Sequence, residues 1–240
     1  MMKLWPFSKK HTNYLKTDLH SHLLPGIDDG VRTLDESLYI IEKLSQIGYQ
    51  RLITTPHIML HRYPNTKDSI LQRLEYVQKA IYAKKIKIDI VASAEYYLDN
   101  HFLDLLAKDE LLTFGNKCIL FETDYHEKPL MLEQAVFEMC SKGYTPILAH
   151  PERYIYLRDD MELYYQLKDM GILFQVNLKS LRNTRSPLAK TTKALSKAGL
   201  IDFIGSDIHR IKDVDEYVSL VHKPYMRKIC NENSIKNHRL

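Results

Sequence analysis

Asp18-Leu19-His20-Ser21-His22, followed by Leu23-Leu24-Pro25-Gly26-Ile27-Asp28-Asp29-Gly30, is the stretch around which the rest of the chain is organised. Leu19 lies in an extended-looking run, and in a strand residues i and i+2 point to the same side. His20 and His22 therefore aim two imidazoles at one spot. Imidazole is the commonest metal-binding side chain near neutral pH. The carboxylates of Asp28 and Asp29 follow within one loop. A His-x-His pair alone is equally an ordinary polar pair on a strand, so its meaning depends on what the other segments bring to it.

Moving outward, the chain alternates two patterns. Thr33-x-x-Glu36 reads as a capping box, Leu38, Ile41, Leu44 and Ile47 follow at helical spacing, and Gly48 is a C-terminal stop. Strand 51–55 ends at Pro56 and His57, and a helical pattern covers 68–84. Strand 86–94 runs into Glu95-Tyr96-Tyr97, and a short helix is expected over 102–107. Strand 118–121 has Glu122 at its end. Helix 130–141 leads to strand 145–149 and His150-Pro151. Because proline disfavours helix in the residue before it, His150 is expected to be extended. Helix 162–170 and strand 172–177 follow. Helix 188–198 and strand 201–205 come next, closed by Ser206-Asp207-Ile208-His209, and a final helix is expected over 214–229.

Seven strands alternating with helices imply a parallel sheet with crossover connections. His20, His22, His57, Glu95, Glu122, His150, Asp207 and His209 all fall at or just past strand C-terminal ends. In an open sheet, with strands about 4.8 Å apart, they would be strung along one edge. In a barrel those ends share one mouth. Convergence thus favours a closed, seven-stranded α/β barrel, and no linker or repeat divides residues 1–240 into more than one domain. So many carboxylates in one place would repel one another without cations between them. Nitrogen and oxygen ligands without thiolate suit manganese, iron, cobalt or zinc.

The totals exclude several classes. Hydrophobic residues at 45% and charged residues at 27% match an ordinary soluble globular protein. The net charge of +4 comes partly from the two ends (Lys3, Lys9, Lys10; Lys223, Arg227, Lys228, Lys236, Arg239), read here as solvated basic extensions to a core of about 17–212. Basic and aromatic residues are not interleaved as on a nucleic-acid platform. No apolar run approaches a membrane span, and Leu4-Trp5-Pro6-Phe7 is too short for a signal-peptide core. Cys118, Cys140 and Cys230 are too few and too scattered for a disulfide framework or a thiolate zinc site, so they are expected to be buried apolar side chains in a cytoplasmic protein.

The opening stretch together with Thr-Pro-His57, Ala-Glu95-Tyr-Tyr-Leu-Asp, His150-Pro-Glu-Arg153-Tyr and Ser-Asp207-Ile-His209 resembles the PHP (polymerase and histidinol phosphatase) superfamily. More narrowly, it resembles the bacterial tyrosine-protein phosphatases of the CpsB/YwqE type, over about residues 17–212. The resemblance implies a distorted (β/α)7 barrel of the TIM type with up to three divalent metal ions, manganese favoured. It implies His20, His22, Glu95 and Asp207 around one ion. Glu95 would bridge to a second ion held by Glu122 and His150, and Asp29, His57 and His209 would hold the third. Asp28 then has the role of orienting a ligand. Arg153 matches a phosphate-holding arginine. A second arginine is expected after the last histidine, where this chain has Ile211-Lys212-Asp213, leaving Arg210 as the substitute.

The reaction implied is hydrolysis of protein phosphotyrosine by a metal-activated hydroxide. By the same analogy the substrate is the C-terminal tyrosine cluster of a bacterial tyrosine kinase of capsule or exopolysaccharide synthesis. A thiol-based phosphatase needs arginine six residues after its cysteine; here those positions hold Asp124, Pro146 and Lys236. The rival readings are another PHP phosphoesterase (histidinol-phosphate phosphatase or nuclease) and a metal-bound scaffold without turnover. Tyr63, Tyr96, Tyr97, Tyr125 and Tyr154 are candidates for the rim of the mouth; His61, His101 and His126 are expected to be exposed and outside the ligand set, with His126 near the mouth as a candidate for assisting the leaving group.

Overall fold

Short apolar runs of β-branched and aliphatic residues form the strands, and each is followed by a stretch of helical periodicity, so the chain winds strand, helix, strand throughout. The computed structural model describes residues 13–182 and 185–240. The basic residues Lys3, Lys9 and Lys10 and the Leu4-Trp5-Pro6-Phe7 run lie outside the described residues. In chain order the elements are β1 (Thr17–Asp18), α1 (Leu34–Gln46), β2 (Arg51–Thr54), β3 (His57–Ile58), α2 (Lys67–Ala83), β4 (Asp89–Ala92), β5 (Glu95–Tyr97) and α3 (Asn100–Ala107). They continue with β6 (Cys118–Glu122), α4 (Leu132–Ser141), β7 (Thr145–Ala149), α5 (Met161–Asp169), β8 (Leu173–Asn177), α6 (Pro187–Lys197), β9 (Phe203–Gly205), α7 (Ile211–Val221) and α8 (Pro224–Glu232).

β2 and β3 are one strand interrupted at Thr55-Pro56, where proline has no N–H to offer the ladder. β4 and β5 are likewise one strand interrupted at Ser93-Ala94. Pairing carries across both breaks, with Ser93 N donating to Thr54 O at 2.9 Å and Glu95 N to Pro56 O at 3.1 Å. The parallel order then runs β1, β2/β3, β4/β5, β6, β7, β8, β9. From β9 the chain of contacts returns to the first strand through a single parallel bridge, Ser21 to Ile208. A cluster made of Leu19, Ile53, Leu120, Ile147, Ala149 and Phe203, with Val91 and Leu173 against it, draws a side chain from every strand position. Such a layer is the packed interior of a barrel. The larger cluster lies between the strands and the helices around them.

The seam between β1 and β9 lacks a full ladder; two backbone bonds cross it, His22 N to Ile208 O (3.0 Å) and Asp207 N to His20 O (2.8 Å), and side chains supply the rest. At the mouth, Asp18 accepts from Ser206 N at 2.9 Å and from Ser206 Oγ at 2.6 Å. At the opposite end Asn237, fully buried, donates to Thr17 O (2.9 Å) and Ile204 O (2.7 Å) and accepts from Ile204 N (3.0 Å). Leu240 packs beneath the interior layer. The C-terminal segment folds against the barrel floor, with Lys236 paired to Asp202 at 2.7 Å, while Lys223, Lys228 and Arg239 are exposed.

Two expectations are corrected. The final helix is two helices, because Pro224 has no N–H and holds Lys223 extended (φ −68°, ψ 141°). Of the cysteines only Cys118 is buried; Cys140 is exposed and Cys230 half-buried, and all three are free.

Replacing Asn237 with alanine strands three backbone groups at the seam. At about 1 kcal/mol for each lost bond this costs roughly 3 kcal/mol, a fall in Tm of roughly 6–12 °C for a chain of this size. Calorimetry on the variant checks it; an unchanged Tm would show that the floor does not hold the seam.

Candidate metal centre

Every strand position except β8 places a candidate ligand residue on or just beyond its mouth-side half. His20 and His22 follow β1, His57 opens β3, Glu95 opens β5, Glu122 ends β6, His150 follows β7, and Asp207 and His209 follow β9. Asp29 comes from the loop after the first strand. The structure brings all nine together around Glu95. Its Oε2 lies 3.2 Å from His20 Nε2, 3.4 Å from His22 Nε2 and 3.2 Å from His57 Nδ1, while Oε1 lies 2.9 Å from His150 Nε2. Glu122 Oε1 is 3.1 Å from His57 Nδ1. Asp207 Oδ1 is 3.4 Å from both His20 Nε2 and His209 Nδ1. Asp29 Oδ1 is 3.5 Å from His57 Nε2 and 3.6 Å from His209 Nε2.

Three overlapping groups have ligand atoms within 4.8 Å of one another: His20, His22 and Glu95; His57, Glu95 and Glu122; and His22, Asp29, His57 and His209. His22 and His57 are thus shared between groups, a partition different from the one the resemblance implies. Asp28 belongs to none of them. It accepts from His22 Nδ1 at 2.8 Å, from His57 N at 3.2 Å and from Gly30 N at 2.9 Å, so it orients the imidazole rather than facing the cluster. Gly30 is required there, since a Cβ would come within 2.4 Å of His22 O.

His150 is not extended. It is left-handed (φ 34°, ψ 55°), and so is Asp207 (φ 52°). The proline after His150 disfavours the right-handed helical region, and the left-handed turn leads directly into the following 3-10 helix, Pro151–Arg153. Left-handed backbone costs about 1–2 kcal/mol per non-glycine residue. Strain of this kind collects at functional sites.

The electrostatics are those of an unshielded cluster. Burial disfavours the imidazolium of His20, but Glu95 and Asp207 outweigh it and push its pKa up to about 9. Burial likewise opposes charge on His22, and Asp28 overcomes it, raising that pKa well above 6.5. Burial works against ionised Glu95, yet His20 and His57 hold it well below the usual carboxylate range. Hydrogen bonding is meanwhile incomplete. His57 Nδ1 touches two carboxylates but is aligned for a hydrogen bond with neither, and Asp29 Oδ1 and His150 Nδ1 also lack partners. Buried polar atoms are normally satisfied. A set of imidazole and carboxylate donors left with unsatisfied atoms fits borderline divalent cations such as manganese, iron, cobalt or zinc.

A cavity of about 980 Å³ opens over the cluster. Arg153 and Arg210 both line it. Arg153 Nη1 reaches Asp207 Oδ2 at 3.2 Å, and its guanidinium lies 4.9 Å from the centre of the Tyr125 ring. Arg210 is exposed at the start of α7, and Lys179 and Lys212 share its side of the opening. Tyr63, Tyr97 and Tyr125 are on the rim, as are His61 and His101. Tyr96 and Tyr154 are buried instead, each accepting a backbone N–H (Leu112 and Thr123) in the core. His126 is exposed and does not line the cavity. Sequence reasoning missed Gln175 and Asn177, which sit on β8 directly behind His20 and Asp207. Their signal was available: two amides two apart in an otherwise apolar strand.

Residues 16–239 match the family model described as capsular polysaccharide synthesis, CpsB/CapC. The tyrosine-protein phosphatase YwqE of Bacillus subtilis is 30% identical over 200 residues, covering 81% of this chain and 78% of its own. The tyrosine-protein phosphatase CpsB of Streptococcus pneumoniae is 24% identical over 235 residues, covering 92% and 96%. A crystal structure from the study of YwqE from Bacillus subtilis and CpsB from Streptococcus pneumoniae, described as unique metal-dependent tyrosine phosphatases, superposes with a TM-score of 0.82. It is 26% identical and covers 92% of each chain. Histidinol phosphate phosphatase from Lactococcus lactis shares the fold, with a TM-score of 0.53, 14% identity and coverage of 89% and 92%.

A raised histidine pKa stabilises the fold fully below its unfolded value of 6.5, and that stabilisation is lost as pH climbs through the folded value, about 9 for His20. Chelated protein is therefore expected to lose thermal stability from pH 6.5 to 9. Manganese-loaded protein, whose ligand imidazoles are neutral, should not. Parallel melting profiles across that range for the two forms would contradict this account.

Proposed function

The chain belongs to the CpsB/CapC family, and on that footing we propose that it is a metal-dependent protein-tyrosine phosphatase. The observation that carries the reading is the meeting of imidazoles and carboxylates from six of the seven strand positions around Glu95, beneath a cavity with aromatic and cationic walls. In this reading His20, His22, Asp29, His57, Glu95, Glu122, His150, Asp207 and His209 hold up to three divalent ions, manganese favoured. Such ions supply charge neutralisation at phosphoryl oxygens and bring the pKa of a water towards roughly 7.

The chain's own groups account for the rest. Arg153 carries a planar fork suited to two phosphate oxygens. Its contacts with Asp207 and the Tyr125 face hold that fork over the cluster before substrate arrives. Arg210, with Lys212 beside it, would meet the phosphate from the other wall. Tyr63, Tyr97 and Tyr125 offer faces to a phenyl ring. A phenol leaves near pKa 10, far more readily than an alkyl alcohol, so no strong general acid is required. None of the three cysteines lines the cavity, in keeping with a mechanism that uses no thiol.

The substrate we infer is a phosphotyrosine protein, the tyrosine cluster of a bacterial kinase of capsule synthesis. The chain acts on it as one PHP domain in the cytoplasm. Three free cysteines suit a reducing compartment, and no described helix is long and apolar enough to cross a membrane.

Turnover of a phosphotyrosine peptide, histidinol phosphate and an oligonucleotide, measured side by side, tests the assignment. The peptide should dominate, and chelation should abolish its hydrolysis. His150→Ala or Asp207→Ala should reduce the rate to background, and Arg153→Ala should lower kcat/KM about 100-fold, near 3 kcal/mol of lost transition-state binding. A dominant nuclease rate would sink the proposal.

A further inference from the structure

Gln175 and Asn177 are two apart on β8, so both side chains face the same way, and both are buried. The polarity of the hydrogen-bond chain through them is fixed from both ends. At one end Asn177 Nδ2 lies 2.6 Å from Asp207 Oδ2. An ionised carboxylate only accepts, so the Asn177 amide must turn its NH₂ there and its oxygen the other way. That oxygen takes a hydrogen from Gln175 Nε2 at 2.9 Å. Gln175 must then turn Oε1 in the opposite direction, where it meets His150 N, a backbone donor, at 3.4 Å and His20 Nδ1 at 2.7 Å. An amide oxygen cannot donate, so His20 carries its hydrogen on Nδ1. Its Nε2 faces Glu95 and Asp207, at 3.2 and 3.4 Å, and is the nitrogen that would lose its proton to take a cation.

We propose that Gln175 and Asn177 are positioning residues that lock His20 in the Nδ1–H tautomer and couple it to Asp207, presenting a preformed pair of cation ligands. The inference rests on the metal-centre reading above. The surroundings are built for it. Asn177 N donates to buried Glu152 at 2.9 Å, pinning the strand end. Gly205 leaves the passage open, since a Cβ there would come within 2.6 Å of Gln175 Nε2 and 2.7 Å of His20 Cβ. The two histidines of the opening motif are also held differently. His22 Nδ1 meets a carboxylate, Asp28, whereas His20 Nδ1 meets an amide. A glutamate at 175 would be a stronger partner for His20 taken alone, but it would set acceptor against acceptor at Asn177.

The isosteric variants Gln175→Glu and Asn177→Asp separate this role from space-filling, which neither alters. Manganese binding to chelated protein, followed by titration calorimetry, should weaken 10- to 100-fold in at least one binding event in each variant. Nitrogen-15 spectra of the zinc-loaded parent should show the His20 proton on Nδ1. Variants that bind manganese as tightly as the parent, or a His20 proton found on Nε2, would overturn the inference and leave the metal centre intact. A parent protein that takes up no manganese or zinc would overturn the centre and this inference with it. If a variant does not fold, the parent's spectra still decide.

Discussion

The rest of the structure depends on Glu95 being ionised where water cannot reach it. A buried carboxylate is costly unless cations or donors surround it, and here four imidazoles from three strands approach within 3.4 Å. None of those histidines is near Glu95 in sequence. The barrel is the device that makes them neighbours, because parallel strands tilted around a closed ring direct all their carboxyl ends to one opening. A large apolar jacket between strands and helices meets the conformational cost of that arrangement.

The seam between β1 and β9 is where fold and chemistry constrain each other most directly. Both elements carry ligands immediately beyond their last strand residue, and neither has a full ladder to the other. Side chains add to the two backbone bonds that cross there. Asp18 clasps Ser206 at the mouth, and Ser206 Oγ also donates to His20 O at 3.0 Å, so the carbonyl of one ligand residue is tied to the residue before another. Asn237 and Leu240 hold the floor. Movement at this seam would shift His20 and Asp207 relative to each other, and metal–ligand bonds near 2 Å would leave little tolerance for that.

Much of this was legible in the residues. Helix starts were written by side chains that cap them: Thr33 accepts from Glu36 N at 3.2 Å as the capping pattern requires, although Glu36 reaches back to Arg32 N rather than to Thr33. The imidazoles and carboxylates near strand ends were equally readable, because alternation and termination are local properties. Other features were not. The Pro224 break was visible but was overrun by the apolar spacing on either side. The C-terminal floor looked like a charged tail, because burial of Asn237 and Leu240 depends on partners about 200 residues away. Left-handed His150 escaped because the residue before proline has more than one way to avoid the helical region.

What the amino-acid order determined by itself was the alternation of strand and helix and the imidazoles and carboxylates that come together around Glu95. These follow from periodicity and side-chain chemistry, which act over a few residues at a time. Tertiary structure alone decided which ligands share a group, that Asp29 faces the cluster while Asp28 braces His22, and that Gln175 and Asn177 stand behind His20 and Asp207. Those choices are set by side-chain distances of a few ångströms, many of them between different strands, such as Asn177 to Asp207 at 2.6 Å. Such distances exist only after the ring has closed.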